Sequence, residues 1–468
     1  MKKNYLLLGL VFITSFAFSE FEITVYNQNF AVVKEQRKIN LSQGIQKIEI
    51  TDVAAYIEPR SVHFKSLTAL DKCYVLEQNF EYDLINSNKL LQKYIGKEIT
   101  LERKIDDKTE IIKGALLSVE GDKVLLKSNN EKILVHPSGE ISLPSLPEGL
   151  VLKPTLSWLI KNEQPGEHNI KIAYITDNLK WEADYVVVIS NDDKYIDLTG
   201  WVTIDNKSGA TFQDAKIKLV AGDVHRVIER PFIAKGVSYK QVLPTGAAQF
   251  EEKEFFEYHM YTLQRKTTIK NNETKQIEFI SASNVPVKKN YTYDGTKIKT
   301  FSYYSPILNE KYGTESNKKV SITLEFKNSK ENNLGIPLPK GKIRVYKEDT
   351  SDKSLIFVGE DLIDHTPKDE NLEVYLGDAF DIIAERIQTD FKKTSDTSCK
   401  ESFKIVLRNH KNEDVEIKVV EHLYRWSNWK IIDTSDKYEK VDSQTIVFKV
   451  KVPKDSEKQI TYTVYYWW

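Results

Sequence analysis

Apolar residues recur at every second position through much of this chain. Side chains alternate between the two faces of a β-strand, so a period of two gives strands with one apolar and one polar face. The clearest examples are Val320–Phe326, Phe403–Leu407, Val415–Val419, Ile446–Val452 and Ile460–Trp468. Such strands are typical of antiparallel sheets, and packing two sheets face to face buries the apolar faces most economically. The sequence therefore predicts an all-β fold, a multi-domain antiparallel β-sandwich.

One apolar run lacks this alternation. Tyr185–Ile189 is continuously apolar, with three valines between its end residues. A strand without a polar face is typical of a position inside a layered fold. The run is therefore predicted to be a strand that is covered on both sides.

The length of the chain indicates more than one core. With 468 residues, of which 40% are hydrophobic and 29% charged, two or three folded domains are expected. The predicted segments are an N-terminal β region at 20–86, a small insertion at 87–147, a β-sandwich region at 148–230 that completes the N-terminal part, a long loop with strands at 231–318 and a C-terminal β-sandwich at 319–468.

The insertion at 87–147 has a pattern of its own. Ser87 is a candidate N-cap for a short helix, and Gly96 is a natural stop. Five short strands are then predicted, around Ile99, Ile111, Val124, Ile133 and Ile141. This spacing predicts a small SH3-like or Sm-like β-barrel, and an elaborated hairpin is the alternative.

The N-terminus has the features of an export signal. Lys2 and Lys3 precede an apolar run from Tyr5 to Phe18, and small residues around Ser19 suit a signal peptidase. Residues 1–19 are therefore predicted to be a signal peptide. The run is short for a membrane span, although a retained anchor is the alternative reading. After cleavage no integral membrane span is expected, and the predicted location is the periplasm or the cell surface.

Charge and cysteine content narrow the classes of partner and site. The formal net charge is -1, which gives no electrostatic case for binding nucleic acid. The two cysteines, Cys73 and Cys399, could pair in an oxidising compartment or remain separate thiols. Two thiols cannot hold a structural zinc ion without help from histidine.

One acidic segment is the best sequence candidate for a metal site. The candidate ligands are Asp361, Asp364, His365, Asp378 and Asp381. Carboxylates and one imidazole within a short stretch could bind a divalent cation, because hard cations prefer oxygen ligands. Aspartates that cap solvated turns would explain the same residues without a metal. No other cofactor is predicted.

Aromatic residues suggest a second kind of contact. Tyr424, Trp426 and Trp429 lie close together in the sequence and could stack on a sugar if their rings are exposed. Large aromatic residues are also ordinary core material, and core packing is the preferred interpretation.

Sequence signatures of common enzymes are missing. The chain contains no Gly-x-Ser-x-Gly elbow, no His-Glu-x-x-His motif and no P-loop. The main hypothesis is therefore a non-enzymatic envelope protein that binds a protein or glycan partner. The alternative is a hydrolase of envelope polymers, with the five candidate metal ligands as its site residues. This alternative stays open because the two carboxylates of such an enzyme can come from distant parts of a chain and cannot be recognised from sequence.

Several ordered motifs resemble a known family. They are Trp181-Glu-Ala-Asp-Tyr185, Gly200-Trp-Val-Thr-Ile-Asp-Asn206 with Ser208-Gly209, Leu219-Val-Ala-Gly-Asp223, Phe357-Val-Gly-Glu-Asp361 and Gly377-Asp-Ala-Phe-Asp381. Together these motifs resemble the domain of unknown function 4139 family over roughly residues 152–468. Longer relatives of that family, including proteins labelled mucoidy inhibitor A, carry a coiled coil between two parts, whereas no heptad run is present here. The resemblance implies a β-rich architecture and often export, but no activity and no catalytic residues.

Overall fold

The protein is almost entirely β-structure. A computed structural model describes residues 19–82, 86–105, 108–121, 123–145, 151–222, 224–226, 250–255, 258–296 and 305–468. Strands make up 65% of it and helices 3%, and the sheets are mostly antiparallel, which confirms the predicted all-β sandwich class. The predicted signal peptide, apart from Ser19, and residues 231–249, 256–257 and 297–304 of the predicted segment 231–318 lie outside the described residues. Within the described part, no helix is long and apolar enough to cross a membrane.

The chain divides into two compact units whose segments alternate along the sequence. The first unit contains the chain up to Trp181, Ile204–Val224 and Tyr261–Lys275. The second contains Glu182–Thr203, the described part of 225–260 and Gln276–Trp468. The domain boundaries predicted from the sequence stay predictions.

The first twelve strands and the helix precede residue 178. They are β1 (Glu20–Tyr26), β2 (Phe30–Leu41), β3 (Gly44–Ile50), β4 (His63–Ser66), β5 (Cys73–Glu81), α1 (Ser87–Lys93), β6 (Glu98–Ile105), β7 (Lys108–Glu120), β8 (Lys123–Ser128), β9 (Ile133–Val135), β10 (Glu140–Ser142), β11 (Thr155–Asn162) and β12 (Gly166–Asp177). A 3-10 turn spans Pro59–Ser61.

Eighteen further strands follow in the described residues. They are β13 (Leu179–Ile189), β14 (Tyr195–Asn206), β15 (Phe212–Ala221), β16 (Phe250–Phe255), β17 (Tyr258–Leu263), β18 (Thr267–Ile269), β19 (Glu273–Pro286), β20 (Lys288–Asp294), β21 (Lys319–Lys327), β22 (Gly341–Glu348), β23 (Leu355–Ile363), β24 (Asn371–Ser395), β25 (Ser398–Asn409), β26 (Val415–His422), β27 (Trp429–Thr434), β28 (Tyr438–Lys440), β29 (Thr445–Val452) and β30 (Ser456–Trp467). A second 3-10 turn spans Lys330–Asn332.

These strands form five sheets. Their strand orders are β16-β17-β15-β1-β2-β12-β4 with β18 beside β15, β3-β11-β5, β10-β6-β7-β8-β9, β19-β14-β13-β22-β23 and β27-β30-β25-β24-β21-β20-β26-β29-β28. Most neighbours are antiparallel, but β1 runs parallel to β15, β13 parallel to β22 and β20 parallel to β26.

The insertion at 87–147 has the predicted helix and five strands but an open sheet. Its end strands, β9 and β10, have three residues each and do not pair with one another in the described structure. The prediction of a barrel is therefore wrong. The sheet stays open because its two end strands are short and each pairs only with its inner neighbour. The helix is capped by Asn86, whose side chain accepts a hydrogen bond from the backbone of Lys89, so the predicted cap at Ser87 is one residue late.

The nine-stranded sheet contains the C-terminal core. Inward-facing residues of β25 and β30 share one buried cluster with those of β26 and β29. The ring of Tyr462 lies 5.4 Å from that of Phe403 and 5.9 Å from that of Phe448, measured between centroids. Burial alternates along β26 and β30 as the sequence pattern predicted.

Two arginine–glutamate pairs lie inside this core. Arg386 Nε donates to Glu421 Oε2 at 2.9 Å, and Arg425 Nε donates to Glu401 Oε2 at 2.6 Å. All four side chains are at most 1% exposed. Burial alone would lower the pKa of Arg425, but its contact with Glu401 raises that pKa above the ordinary value. Both arginines are therefore charged, and each depends on its glutamate because an unpaired buried charge is strongly unfavourable.

The same two arginines hold a neighbouring segment by its backbone. Arg425 Nη1 donates to the carbonyl oxygens of Ile307 and Asn309 at 3.0 and 2.9 Å. Arg386 Nη1 donates to the carbonyl of Gly313 at 2.8 Å. Segment 307–313 has little regular structure, so these contacts supply hydrogen-bond donors that a sheet would otherwise provide.

Replacing Arg425 by methionine should destabilise the protein by about 3–5 kcal/mol, because Glu401 is left buried without its cation. Chemical unfolding in urea, followed by tryptophan fluorescence, measures the loss. The double variant Arg425→Met/Glu401→Leu should lose less than Arg425→Met alone. A double variant that is less stable than the single one would contradict the assignment of the loss to an unpaired charge.

Candidate functional site

Two segments singled out in the sequence meet where β23 crosses β24. A Cβ atom at Gly359 would lie 2.6 Å from the backbone oxygen of Leu376 and 3.0 Å from its Cα. Only glycine allows the two backbones to approach this closely. Oδ2 of Asp361 accepts a hydrogen bond from the backbone N–H of Tyr375 at 2.7 Å, beside this contact. The family-like motifs around Gly359 and Gly377 therefore build a strand crossing.

Three of the five predicted metal ligands, Asp361, Asp378 and His365, form hydrogen bonds through their side chains. Asp361 uses its other oxygen, Oδ1, to accept from the backbone of Leu362 at 2.8 Å. Asp378 binds Lys319 Nζ at 2.7 Å and the hydroxyl of Tyr375 at 3.1 Å. The Nδ1 atom of His365 accepts from the backbone of Lys340 at 3.1 Å.

The remaining two candidate ligands contribute backbone contacts. The carbonyl oxygen of Asp364 accepts from the hydroxyl of Thr366 at 2.9 Å, and that of Asp381 accepts from the backbone of His410 at 2.8 Å. In the described part of the chain, no three His, Cys, Asp or Glu side chains are grouped so that they could hold a metal ion. The binding of a divalent cation by these residues therefore remains a prediction from the sequence.

A hydrogen-bonded polar row crosses all five strands of the β19-β14-β13-β22-β23 sheet. Gln276 on β19 donates to Thr203 on β14 at 3.1 Å, and Thr203 donates to Asp184 on β13 at 2.7 Å. Arg344 on β22 then lies 3.3 Å from Asp184 and 3.5 Å from Glu360 on β23. Each member has a partner, so the row ties strands together and leaves no group poised for chemistry.

Exposed apolar side chains lie beside this row on β23. We call Leu355, Ile356, Phe357, Val358 and Leu362 the β23 strip. Their exposed fractions run from 38% at Val358 to 75% at Leu362. Strand β23 is an outer strand of its sheet and has β22 as its only strand neighbour among the described residues. Four consecutive exposed apolar residues on an outer strand are a typical feature of an interaction surface.

The strip lies next to further apolar surface. Phe357 pairs with Tyr346 of β22, and their rings are 5.7 Å apart. The strip was not predicted from the sequence, although the unbroken apolar run from Leu355 to Val358 departs from the alternation and could have indicated it.

The continuous apolar run on β13 is less enclosed than predicted. Tyr185, Val187 and Ile189 are buried, whereas Val186 and Val188 are only half-buried. The prediction that this strand is covered on both sides is therefore wrong for one of its faces. Its unbroken apolar sequence reflects one fully packed face and one partly exposed face of the same sheet that carries the β23 strip.

The aromatic residues predicted as possible sugar contacts, Tyr424, Trp426 and Trp429, mostly pack within the protein. Tyr424 is buried, and its hydroxyl donates to Glu401 at 2.7 Å. Trp426 and Trp429 are half-buried against the C-terminal core. Trp429 also donates from Nε1 to Ser443, and Lys440 Nζ lies 4.7 Å from the centre of its ring. Tyr424 therefore lies in the core, whereas Trp426 and Trp429 each keep part of their surface exposed.

A buried serine–histidine pair occurs in the first unit. Ser66 Oγ lies 2.8 Å from Nδ1 of His168, and Nε2 of His168 lies 2.7 Å from the carbonyl of Gln164. The carbonyl can only accept, so Nε2 carries the proton and Nδ1 accepts from the serine hydroxyl. Both residues are at most 2% exposed. A substrate could not reach this pair, which is a satisfied internal contact.

A small cleft in the second unit is lined mainly by charged residues. Its volume is about 230 Å³, below the usual range for ligand pockets. Lys289 and Lys347 both bind Asp193, and Lys411 binds Glu413. Acidic and basic side chains are mixed along the lining, so the cleft does not present a surface of one charge sign.

Cys73 and Cys399 are both free thiols. Cys73 is half-buried and Cys399 is buried, and burial raises the pKa of each. A raised pKa keeps a thiol protonated at neutral pH, so neither cysteine has the properties of a nucleophile.

Comparison with known proteins identifies a family. A family model described as Domain of unknown function (DUF4139) matches residues 170–468. The matched part contains the polar row, the β23 strip and both buried arginine–glutamate pairs, and the match confirms the resemblance predicted from the sequence motifs. No curated protein matches the chain.

Replacing Gly359 by alanine should destabilise the second unit by about 1–3 kcal/mol, because the added methyl group meets the backbone of Leu376. The urea midpoint and the near-ultraviolet circular dichroism measure the effect. Glu360→Ala is the neighbouring control and should cost at most about 1 kcal/mol, since it removes only partly exposed ion pairs. Equal stability of Gly359→Ala and the unmodified protein would contradict the close crossing.

Proposed function

This chain belongs to the DUF4139 family, and from that starting point we propose that it is an exported, non-enzymatic binding protein of the cell envelope. The export part of the proposal is supported by the basic and apolar residues of 1–19. The binding part is supported by the β23 strip.

The β23 strip is the observation that carries the proposal. Five apolar side chains remain exposed on an outer strand. Leaving such a surface in water is unfavourable and promotes unwanted association, so its presence is best explained by a partner that covers it. Phe380 on β24, the strand that crosses β23, is also an exposed apolar residue, at 95%.

The chemistry of the strip favours a protein partner over a glycan. Sugars are usually bound by flat aromatic rings together with hydrogen-bonding groups. The strip is mainly aliphatic, and the candidate aromatics Tyr424, Trp426 and Trp429 are buried or half-buried. Aliphatic side chains on an outer strand instead suit the apolar side chains of another polypeptide.

Two carboxylates of the acidic segment do not favour the alternative of an envelope hydrolase. A general base needs a carboxylate free to reach substrate. Both oxygens of Asp361 accept backbone N–H groups, and Asp378 is paired with Lys319.

A photo-crosslinking residue at position 362 tests the proposal in cells. We expect a specific protein adduct in the envelope fraction, because Leu362 is the most exposed member of the strip. The adduct is identified by mass spectrometry. It should disappear when Phe357→Lys is added to the same chain, since a charge then lies in the contact.

The same probe at Leu152, which is 82% exposed, is the matched control. No protein adduct at position 362, or equal adducts at both positions, would contradict a specific protein-binding surface. Thermal stabilisation by purified envelope glycans without a protein adduct would favour a glycan partner instead. Recovery of the chain only from the cytoplasm would contradict export.

A further inference from the structure

We infer that Leu355, Ile356 and Phe357 of the β23 strip are covered by the same residues of a second copy of this chain, through antiparallel pairing of the two outer strands about Ile356. The inference rests on the proposed function, because it names the protein partner of the same surface. The two copies would form one continuous sheet related by a two-fold axis.

The register follows from the side chains that share a face. Leu355 and Phe357 lie opposite Glu348 and Tyr346 of β22, so both point to one face of the sheet. Ile356 lies opposite Lys347 and points to the other face. A two-fold axis through Ile356 places Leu355 of one copy opposite Phe357 of the other, on the same face.

This register brings only apolar side chains into opposition. The two Ile356 residues face each other, and a Leu355–Phe357 pair lies on either side. No residue from Ser354 to Val358 is charged. Outer strands that must stay single usually carry a lysine, another charge or a proline, and this segment has none.

A bulge in β23 and the residues of the opposite outer strand, β19, limit the association to two copies. Strand β23 has a bulge between Phe357 and Gly359, which ends regular pairing after the apolar residues. The other outer strand of the sheet, β19, carries Glu278 and ends at Pro286. These residues discourage pairing there, so the sheet closes as a pair of copies and does not extend into a fibre.

Sedimentation velocity over a concentration series of the full chain tests the inference. We expect a reversible dimer whose fraction rises with concentration, because the contact is small. Ile356→Lys should sediment as a monomer over the same range. Ile432→Lys is the matched control, since Ile432 is 44% exposed on another outer strand, β27, and it should dimerise like the unmodified protein.

A cysteine pair tests the register itself. In a Cys73→Ser background, Ile356→Cys should form a disulfide-linked dimer with oxidised glutathione, because residue 356 faces its own copy. Leu362→Cys is more exposed but has no such counterpart, and it should link at least tenfold less. Equal linking of the two variants would overturn the register.

A chain that stays monomeric at every concentration would overturn the inference. If the photo-crosslinked adduct at position 362 then contains a different protein, the proposed function stands and only the second copy is excluded. If no protein adduct forms either, both fail.

Discussion

The buried charges of the C-terminal sandwich constrain the rest of that unit. A guanidinium group can leave water only if a carboxylate and several acceptors replace its hydration. Arg425 finds Glu401 and backbone carbonyls of segment 307–313, and Arg386 finds Glu421 and Gly313. An irregular segment is thereby fixed against a core of alternating strands. The apolar pattern makes the sandwich, and these contacts determine how its connecting chain is held.

Strand alternation let the sequence predict most of this architecture. A period of two is a local property, so strands such as β26 and β30 could be located from their residues alone. Closure of the small sheet could not be predicted, because it depends on whether β9 and β10 meet in space. The role of an acidic side chain is equally hard to predict. Asp361 binds backbone groups and Asp378 binds a lysine, and the sequence does not distinguish such carboxylates from free ones.

The polar row and the β23 strip are two further features that could not be predicted from the sequence alone. The row joins residues from five separate strands, and only the sheet order brings Gln276, Thr203, Asp184, Arg344 and Glu360 into succession across the sheet. Four adjacent apolar residues of the strip can be seen in the sequence, but the sequence does not show whether they are buried or exposed. A buried strand and an interaction surface can share that composition.

The parallel pairings have a consequence for the order of folding. Asp184 and Arg344 are separated by 160 residues, and Glu22 and Lys218 by 196. Contacts so distant along the chain close large loops and make folding slow. Neither sheet can be completed until a late part of the polypeptide is available, so the early strands spend time without their neighbours. During that time they depend on local hairpins, such as the one that joins β1 to β2, to keep their apolar faces from associating with other chains.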